Sequence, residues 1–365
     1  MHKLSDSKLF FQLLQISLSV KDSLSYIPST REWLQLFKQS HRQTLVGIVF
    51  YGVQRLYKEQ PETCANLPNE LRMKWLGMAA TIQMRNEKMD LSTKKALDLF
   101  RKEGFCCYVL KGQGIASLYG ELGKLRQSGD IDIWVDGTRG HLYEFAKRMY
   151  GKIDGLTYHH IHFPFFADVE IEAHTWPSFL SSPFRNKRLQ TFCRLHRPMD
   201  DSRDTPSLAF NRVFILLHCY QHFVRRGVGL RQLMDYYFVL KQGCNEAEKQ
   251  DAIKWCRNMG LGRFLGAMMY VMKSIFRLEE KDMLCEADEK AGEFLLKEIL
   301  LTGNMGHTDT RINHKMLQSA IGRYVCNLKR DLSIMRICPH EALWEPFWGI
   351  YQYFWCKKTI RKYNN

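Results

Sequence analysis

Apolar residues recur at helical spacing through the first hundred positions. Leu9, Leu13, Leu14 and Ile16 mark one amphipathic segment, and Trp33, Leu34, Leu36 and Phe37 mark a second. Pro28 and Pro61 punctuate this region. From Leu67 a longer periodic run passes through Trp75, Met78, Ile82, Met89, Leu97 and Phe100, and Gly104 stands where a glycine ends a helix. The spacing then shortens to strand-like alternation. Positions 106–111 (CCYVLK) predict a short strand broken by Gly112-Gln113-Gly114, and 115–119 predict one or two helical turns. A second strand is expected over 131–135, ended by Asp136-Gly137, and a helix over 141–149. Positions 158–166 and 169–174 read as two strands about a tight turn near Ala167-Asp168. After Pro183 helical spacing resumes, most clearly over 208–224 and 230–240, then over 252–259, 264–276 and 291–301. Positions 303–314 are polar and predict a loop, and Pro339 and Pro346 are expected to break the tail. The expectation is an α+β chain: a helical region over 1–104, a small α/β core over 105–182, and a helical domain over 183–365.

Composition narrows the class. Aromatics make up 13% of the 365 residues, which excludes a disordered chain. The 24 glycines and 10 prolines are spread along the sequence, which excludes collagen-like and low-complexity classes. Lys and Arg outnumber Asp and Glu by 53 to 38, and the resulting +15 favours anionic partners or serves solubility. The 11 cysteines include no CxxC, so neither a zinc ribbon nor a disulfide scaffold is expected. Unframed thiols fit a reducing, cytoplasmic setting. The run Leu9-Phe10-Phe11-Gln12-Leu13-Leu14 reads as a helix face rather than a signal peptide, and no stretch approaches the roughly 18 apolar residues of a membrane span.

The candidate chemistry centres on Ser128-Gly129-Asp130-Ile131-Asp132-Ile133-Trp134-Val135. Asp130 and Asp132 are two apart, so a strand puts both carboxylates on one face while Ile131, Ile133 and Val135 anchor the other. Like charges so close repel unless a divalent cation lies between them, and Mg²⁺ binds through one or two carboxylates plus substrate phosphates. A third carboxylate is expected from Val169-Glu170-Ile171-Glu172-Ala173-His174, where Glu170 and Glu172 again share a face. Such a triad suits two Mg²⁺ ions, one for the attacking hydroxyl and one for a triphosphate. Upstream, the strand ending at Leu110-Lys111 gives way to Gly112-Gln113-Gly114, a turn whose backbone N–H groups suit a phosphate. Lys111 and Arg126 are the candidate cations there.

These residues carry a resemblance. Leu110-Lys111-Gly112, Leu118-Tyr119, Arg126 and Gly129-Asp130-Ile131-Asp132, followed by Glu172, His174 and Trp176, resemble the bacterial "uncharacterised nucleotidyltransferase" family of the DNA polymerase beta-like nucleotidyltransferase superfamily. His218, His222, Arg231 and Asp235 resemble a further helical motif of that family. The resemblance spans about residues 105–240. It implies a mixed sheet, two Mg²⁺ ions, and transfer of a nucleoside monophosphate from an NTP to a hydroxyl or phosphate acceptor. Carried over, Asp130, Asp132 and Glu172 are the catalytic and metal-binding residues. Lys111, Gly112, Arg126, Ser128 and Gly129 are the expected nucleotide-binding set, with His174, His218, His222 and Arg231 behind them. Lys111-Gly112-Gln113 stands where the superfamily has a Gly-Ser element, with 18 positions from Gly112 to Asp130, a longer gap than usual.

Other features stay open. His159, His160, His162 and His174 read as strand histidines packed on neighbours, with zinc as the alternative. Arg225, Arg226 and Arg231 widen a basic cleft or sit on the surface, and Asp235 is expected to pair with an arginine inside the helical domain rather than to ligate metal. The tail from Trp344 to Trp355 is aromatic and precedes Lys357-Lys358; a docked helix is favoured over a membrane contact. The expected donor is ATP, and the acceptor a small molecule, phosphosugar, peptide or protein. Nucleic acid is not favoured, because no stacking-plus-basic motif is present. The alternative class is a non-catalytic nucleotide- or nucleic-acid-binding module on the same fold.

Overall fold

The computed structural model describes residues 7–151, 156–166, 168–198, 203–309, 311 and 318–364. Its four described strands form one mixed sheet: β1 (Cys106–Val109), β2 (Ile131–Asp136), β3 (His160–Phe166) and β4 (Val169–His174), in the order β1-β2-β4-β3. β1 and β2 are antiparallel, β2 and β4 parallel, and β3 and β4 antiparallel. The register sets Asp132 opposite Glu172, Trp134 opposite His174, His162 opposite Glu172 and His160 opposite His174.

Alternation gives this sheet two unlike faces. Ile131, Ile133, Val135, Ile161, Phe163, Ile171 and Ala173 share the first. They are sealed beneath Met89, Leu97 and Phe100 of a long helix and Leu142 and Phe145 of another. Those helices are α4 (Asn69–Lys102) and α6 (Arg139–Tyr150). The second face runs from apolar to polar. Tyr108 and Trp134 join the main helical core, where Trp134 stacks on Phe210 at 5.5 Å, whereas Asp132, Glu172, His174, His160 and His162 occupy its other end.

The main core draws on both ends of the chain. From the N-terminal side come α1 (Lys8–Ser17), α2 (Thr30–Arg42), α3 (Val46–Glu59) and the first half of α4. From the C-terminal side come α7 (Pro183–Leu195), α8 (Leu208–Arg225), α9 (Leu230–Leu240), α10 (Glu246–Asn258), α11 (Gly262–Phe276) and α12 (Glu289–Thr302). Trp33, Trp75, Phe214, Met234, Met268 and Ile299 lie in one continuous buried cluster. A single turn, α5 (Gln113–Ala116), follows β1, and a 3₁₀ segment (Ser117–Leu125) leads back towards β2.

Most elements lie where the periodicity puts them. The long helix stops before Gly104, whose φ of 88° is the left-handed conformation expected past a helix end. Asp168 lies in the predicted turn, while Ala167 is outside the described residues, as are 310 and 312–314 of the predicted loop. Within that loop Asn304–Gly306 forms a 3₁₀ turn. The tail departs from expectation: α13 (Ala320–Ile334) is followed by α14 (Pro339–Asn364), and Pro346 lies inside α14 without ending it. Pro339 takes the first turn, where a missing N–H costs nothing. Pro346 sits between anchors: Glu341 accepts the Ser181 N–H, Glu345 binds Arg225, and Trp348 packs on Tyr158 and Phe179. Tertiary contacts on both sides hold the helix across its missing hydrogen bond. Among the described residues no helix is long and apolar enough to cross a membrane, and no disulfide links the cysteines.

A buried ion pair joins the segment before β2 to α9. Arg126 Nε and Nη2 donate to Asp235 Oδ1 and Oδ2, each at 2.7 Å, and the Tyr119 hydroxyl donates to Oδ1 at 2.6 Å. Both charged side chains are excluded from water. Asp235→Asn should therefore lower the urea stability by about 3 kcal/mol, because it strands a buried guanidinium. The double replacement Arg126→Met with Asp235→Leu should recover most of that loss, and equal losses in single and double variants would refute the pairing as the cause.

Candidate active site

Asp132 is the second residue of β2, and its side chain is only 2% exposed. The Leu110 N–H donates to the Asp132 carbonyl at 2.8 Å, which extends the β1–β2 ladder and brings Lys111 alongside. Lys111 Nζ lies 2.9 Å from Asp132 Oδ2 and 3.9 Å from Asp130 Oδ2. On the other side His174 Nε2 donates to Asp132 Oδ1 at 2.9 Å and lies 3.4 Å from Glu172 Oε2. The expected repulsion between Asp130 and Asp132 is thus answered within the chain, by a lysine ammonium between them. Lys111, read from the sequence as a phosphate contact, is here a counter-cation.

The electrostatics follow from that packing. Burial alone would push the Asp132 carboxyl up, yet Lys111 and His174 hold it far below the usual carboxylate range. Burial would lower Lys111, but the charges of Asp130, Asp132 and Glu172 raise it instead. Burial would lower His174 too; its hydrogen bonds to Asp132 and Glu172 reverse this and bring it up to about 9. His160, with both ring nitrogens lacking a hydrogen-bond partner, is pushed down by burial to about 2 and is neutral.

The turn that delivers Lys111 is strained. Lys111 has φ 29° and Gly112 φ 43°, both left-handed, a conformation costly for a lysine and free for a glycine. Gly114 serves a different need: a Cβ there would meet the Val109 carbonyl oxygen at 2.5 Å.

The remaining predicted residues frame the carboxylates. Arg126, expected at a phosphate, spends two of its nitrogens on Asp235, because a buried guanidinium needs a buried carboxylate. The arginine partner of Asp235 therefore comes from the segment before β2, not from inside the helical domain where it was expected. Ser128 Oγ donates to Asn86 Oδ1 at 2.5 Å and lies 2.9 Å from Gln113 Oε1. Arg231 Nη1 donates to the Gln127 carbonyl at 2.7 Å, beside Gly129. His218 and His222 lie one turn apart on α8 with rings 4.4 Å apart. Burial and then the Lys111 charge hold both well below the ordinary histidine range, His222 at about 3. Glu172 is largely covered, whereas Glu170 is exposed and bound to His162.

Two positioning residues escaped the sequence reading. Asn86 Nδ2 donates to the carbonyls of Lys124 and Arg126 at 2.7 and 2.8 Å, fixing the approach to β2 from α4. Gln113 reaches Ser128 from α5. A polar residue within a helix, such as Asn86, carries no local sign of such work, and Gln113 reads only as part of the glycine turn.

With this geometry in place, the family comparison is specific. The model of the family described as "Uncharacterised nucleotidyltransferase" matches residues 29–277, more than half of the chain, and the chain belongs to that family. The match begins just before α2 and runs through the end of α11, so it takes in flanking helices as well as the sheet. No curated protein and no solved structure matches. The family identifies the chain as a nucleotidyltransferase, a class that usually uses divalent metals. One ligand atom each from Asp132, Glu172 and His174 lie within 4.8 Å of one another, and so do those of His160, His162 and Glu172.

Two predictions concern the metal-free protein. Asp132→Asn should cost about 3 kcal/mol of stability, since it leaves two buried cations without their carboxylate, while Asp130→Asn stays level. Guanidinium titration in EDTA reads both. The His174 contribution has the sign of a raised base: present in full below pH 6.5 and lost as pH rises through about 9. The stability gap between wild type and His174→Gln should therefore shrink by about 3 kcal/mol from pH 6 to pH 10. A gap independent of pH would contradict a protonated His174.

Proposed function

We propose that this chain is a Mg²⁺-dependent nucleotidyltransferase. It moves a nucleoside monophosphate from an NTP, with ATP as the first donor to test, to a hydroxyl or phosphate acceptor. The observation that carries the reading is the register of β2 and β4. It sets Asp132 directly opposite Glu172, with Asp130 two residues earlier and the Lys111–Gly112 turn at the same end of the sheet. The donor set fits the ion: hard carboxylate oxygens suit Mg²⁺. Asp130, Asp132 and Glu172 would hold it, as two ions in the full complement. Bound Mg²⁺ supplies Lewis-acid stabilisation of the reacting oxygens and neutralises the triphosphate.

The chain's own residues do the rest. Lys111, on its strained turn, exchanges Asp132 for triphosphate oxygens. Gly112, Ser128 and Gly129 present backbone and hydroxyl groups to the nucleotide, and Arg126 holds their segment in place through Asp235. His218, His222 and Arg231 wall the site from α8 and α9. The acceptor is a small molecule, phosphosugar, peptide or protein in a cytoplasmic setting; a nucleic-acid acceptor is not favoured. One observation favours a second reading: Lys111 already neutralises Asp130 and Asp132, as it would in a non-catalytic nucleotide-binding module.

Incubation with each labelled NTP, Mg²⁺ and a cell extract distinguishes these readings. A labelled product is expected, falling by more than about 100-fold in Asp132→Asn and Asp130→Asn. Glu172→Gln should lose most activity yet keep NTP binding, and Lys111→Ala should weaken NTP binding more than it slows the saturated reaction. Undiminished product in Asp132→Asn would refute the catalytic assignment. NTP binding without any product would support the non-catalytic module.

A further inference from the structure

Six of the chain's 13 histidines gather about the carboxylates: His159, His160, His162, His174, His218 and His222. The oxygen site described above uses none of their nitrogens. We propose that His160, His162 and Glu172, the last shared with the oxygen site, form a second site for a first-row transition-metal dication, Zn²⁺ by preference.

The spacing supports it. His160 Nδ1 lies 3.1 Å and His162 Nε2 3.9 Å from the Glu172 carboxylate oxygens. Ligands at zinc distances sit about 3.3 Å apart around a tetrahedral ion, so these groups close on one with small side-chain movements. The tautomer supports it as well. His162 Nδ1 lies 2.7 Å from Glu170 Oε1, and a carboxylate only accepts, so Nδ1 carries the proton. The lone pair is then on Nε2, the atom that faces Glu172. A carboxylate behind a histidine is the usual outer support of a metal-bound imidazole. It gives a role to Glu170, which the nucleotidyl-transfer reading leaves without one.

His160 supplies an independent observation. Its residue is 9% exposed; Nδ1 faces Glu172 Oε2 at 3.1 Å outside hydrogen-bond geometry, and Nε2 has no hydrogen-bond partner. Buried polar nitrogens are rarely left so, because an unmet donor or acceptor costs free energy. A metal ion meets that need at a ring lone pair. Two imidazoles and one carboxylate select a borderline ion over Mg²⁺, which prefers oxygen and six-fold coordination. Three protein ligands also leave a fourth position open to water or substrate.

The test uses the full chain stripped with EDTA, titrated with Zn²⁺ by calorimetry and with Co²⁺ by visible absorption, without nucleotide. One equivalent is expected, with Co²⁺ bands of a four-coordinate nitrogen–oxygen site. His162→Ala, on a partly exposed position, and His160→Ala should each weaken Zn²⁺ binding by at least about 10-fold, and Glu170→Gln by about 10-fold. Asp130→Asn should leave it intact, which separates this site from the oxygen-only one. Circular dichroism checks that each variant folds, and if His160→Ala does not, His162→Ala and Glu170→Gln decide. Failure to bind one equivalent would overturn the proposal, as would unchanged affinity in folded His162→Ala and Glu170→Gln. Loss of binding in Asp130→Asn alone would assign the ion to the Asp130–Asp132 position and likewise overturn it.

Discussion

A carboxylate shut away from water at the centre of a sheet face must be compensated, and much of this site follows from compensating Asp132. An uncompensated buried charge costs several kcal/mol. The chain answers with Lys111 on one oxygen and His174 on the other. Bringing Lys111 there extends the β1–β2 ladder by one bond and forces the backbone into a left-handed turn that Gly112 then completes. Bringing His174 there fixes the pairing of β4 beside β2. Once β4 is in that register, Glu172 has no place other than opposite Asp132, and His160 and His162 follow from β3.

The same logic explains the two cores. The sheet's apolar face is closed under α4 and α6 and offers no room for chemistry. The opposite face shares Tyr108 and Trp134 with the helices, so the polar end is fixed from three sides. α4 reaches it through Asn86, α9 through Asp235 and Arg231, and α8 through His218 and His222. That the family match extends from 29 to 277 is intelligible in these terms, since the helices that hold the carboxylates in place lie within that span.

Much of this was legible in the sequence. Helical spacing located the long helix and its glycine stop, and alternation placed Asp132 opposite the face of Ile131 and Ile133. The strand 169–174 was read to the residue. What remained hidden depends on contacts far apart in the chain. Periodicity carries no information on whether a lysine after a strand points to solvent, to a phosphate or to the carboxylates of its neighbour. Arg126 looked like a phosphate contact until its pairing with Asp235, 109 positions away, was seen. Pro346 read as a helix stop because a local rule says so, and distant anchors on either side overrule it.

The register of β4 has a consequence for how such a chain can change over generations. Its odd positions fill the closed core and its even positions carry charge, so losing or gaining one residue would exchange the two sets. Glu172 and His174 would enter an aromatic interior while Ile171 and Ala173 faced the cleft. No partial slip lies between these states, and so the strand admits exchange of one side chain for another but not a change of length. The freedom to insert or delete belongs instead to the connections around it, where new specificity can accumulate while the spacing of the charges stays constant.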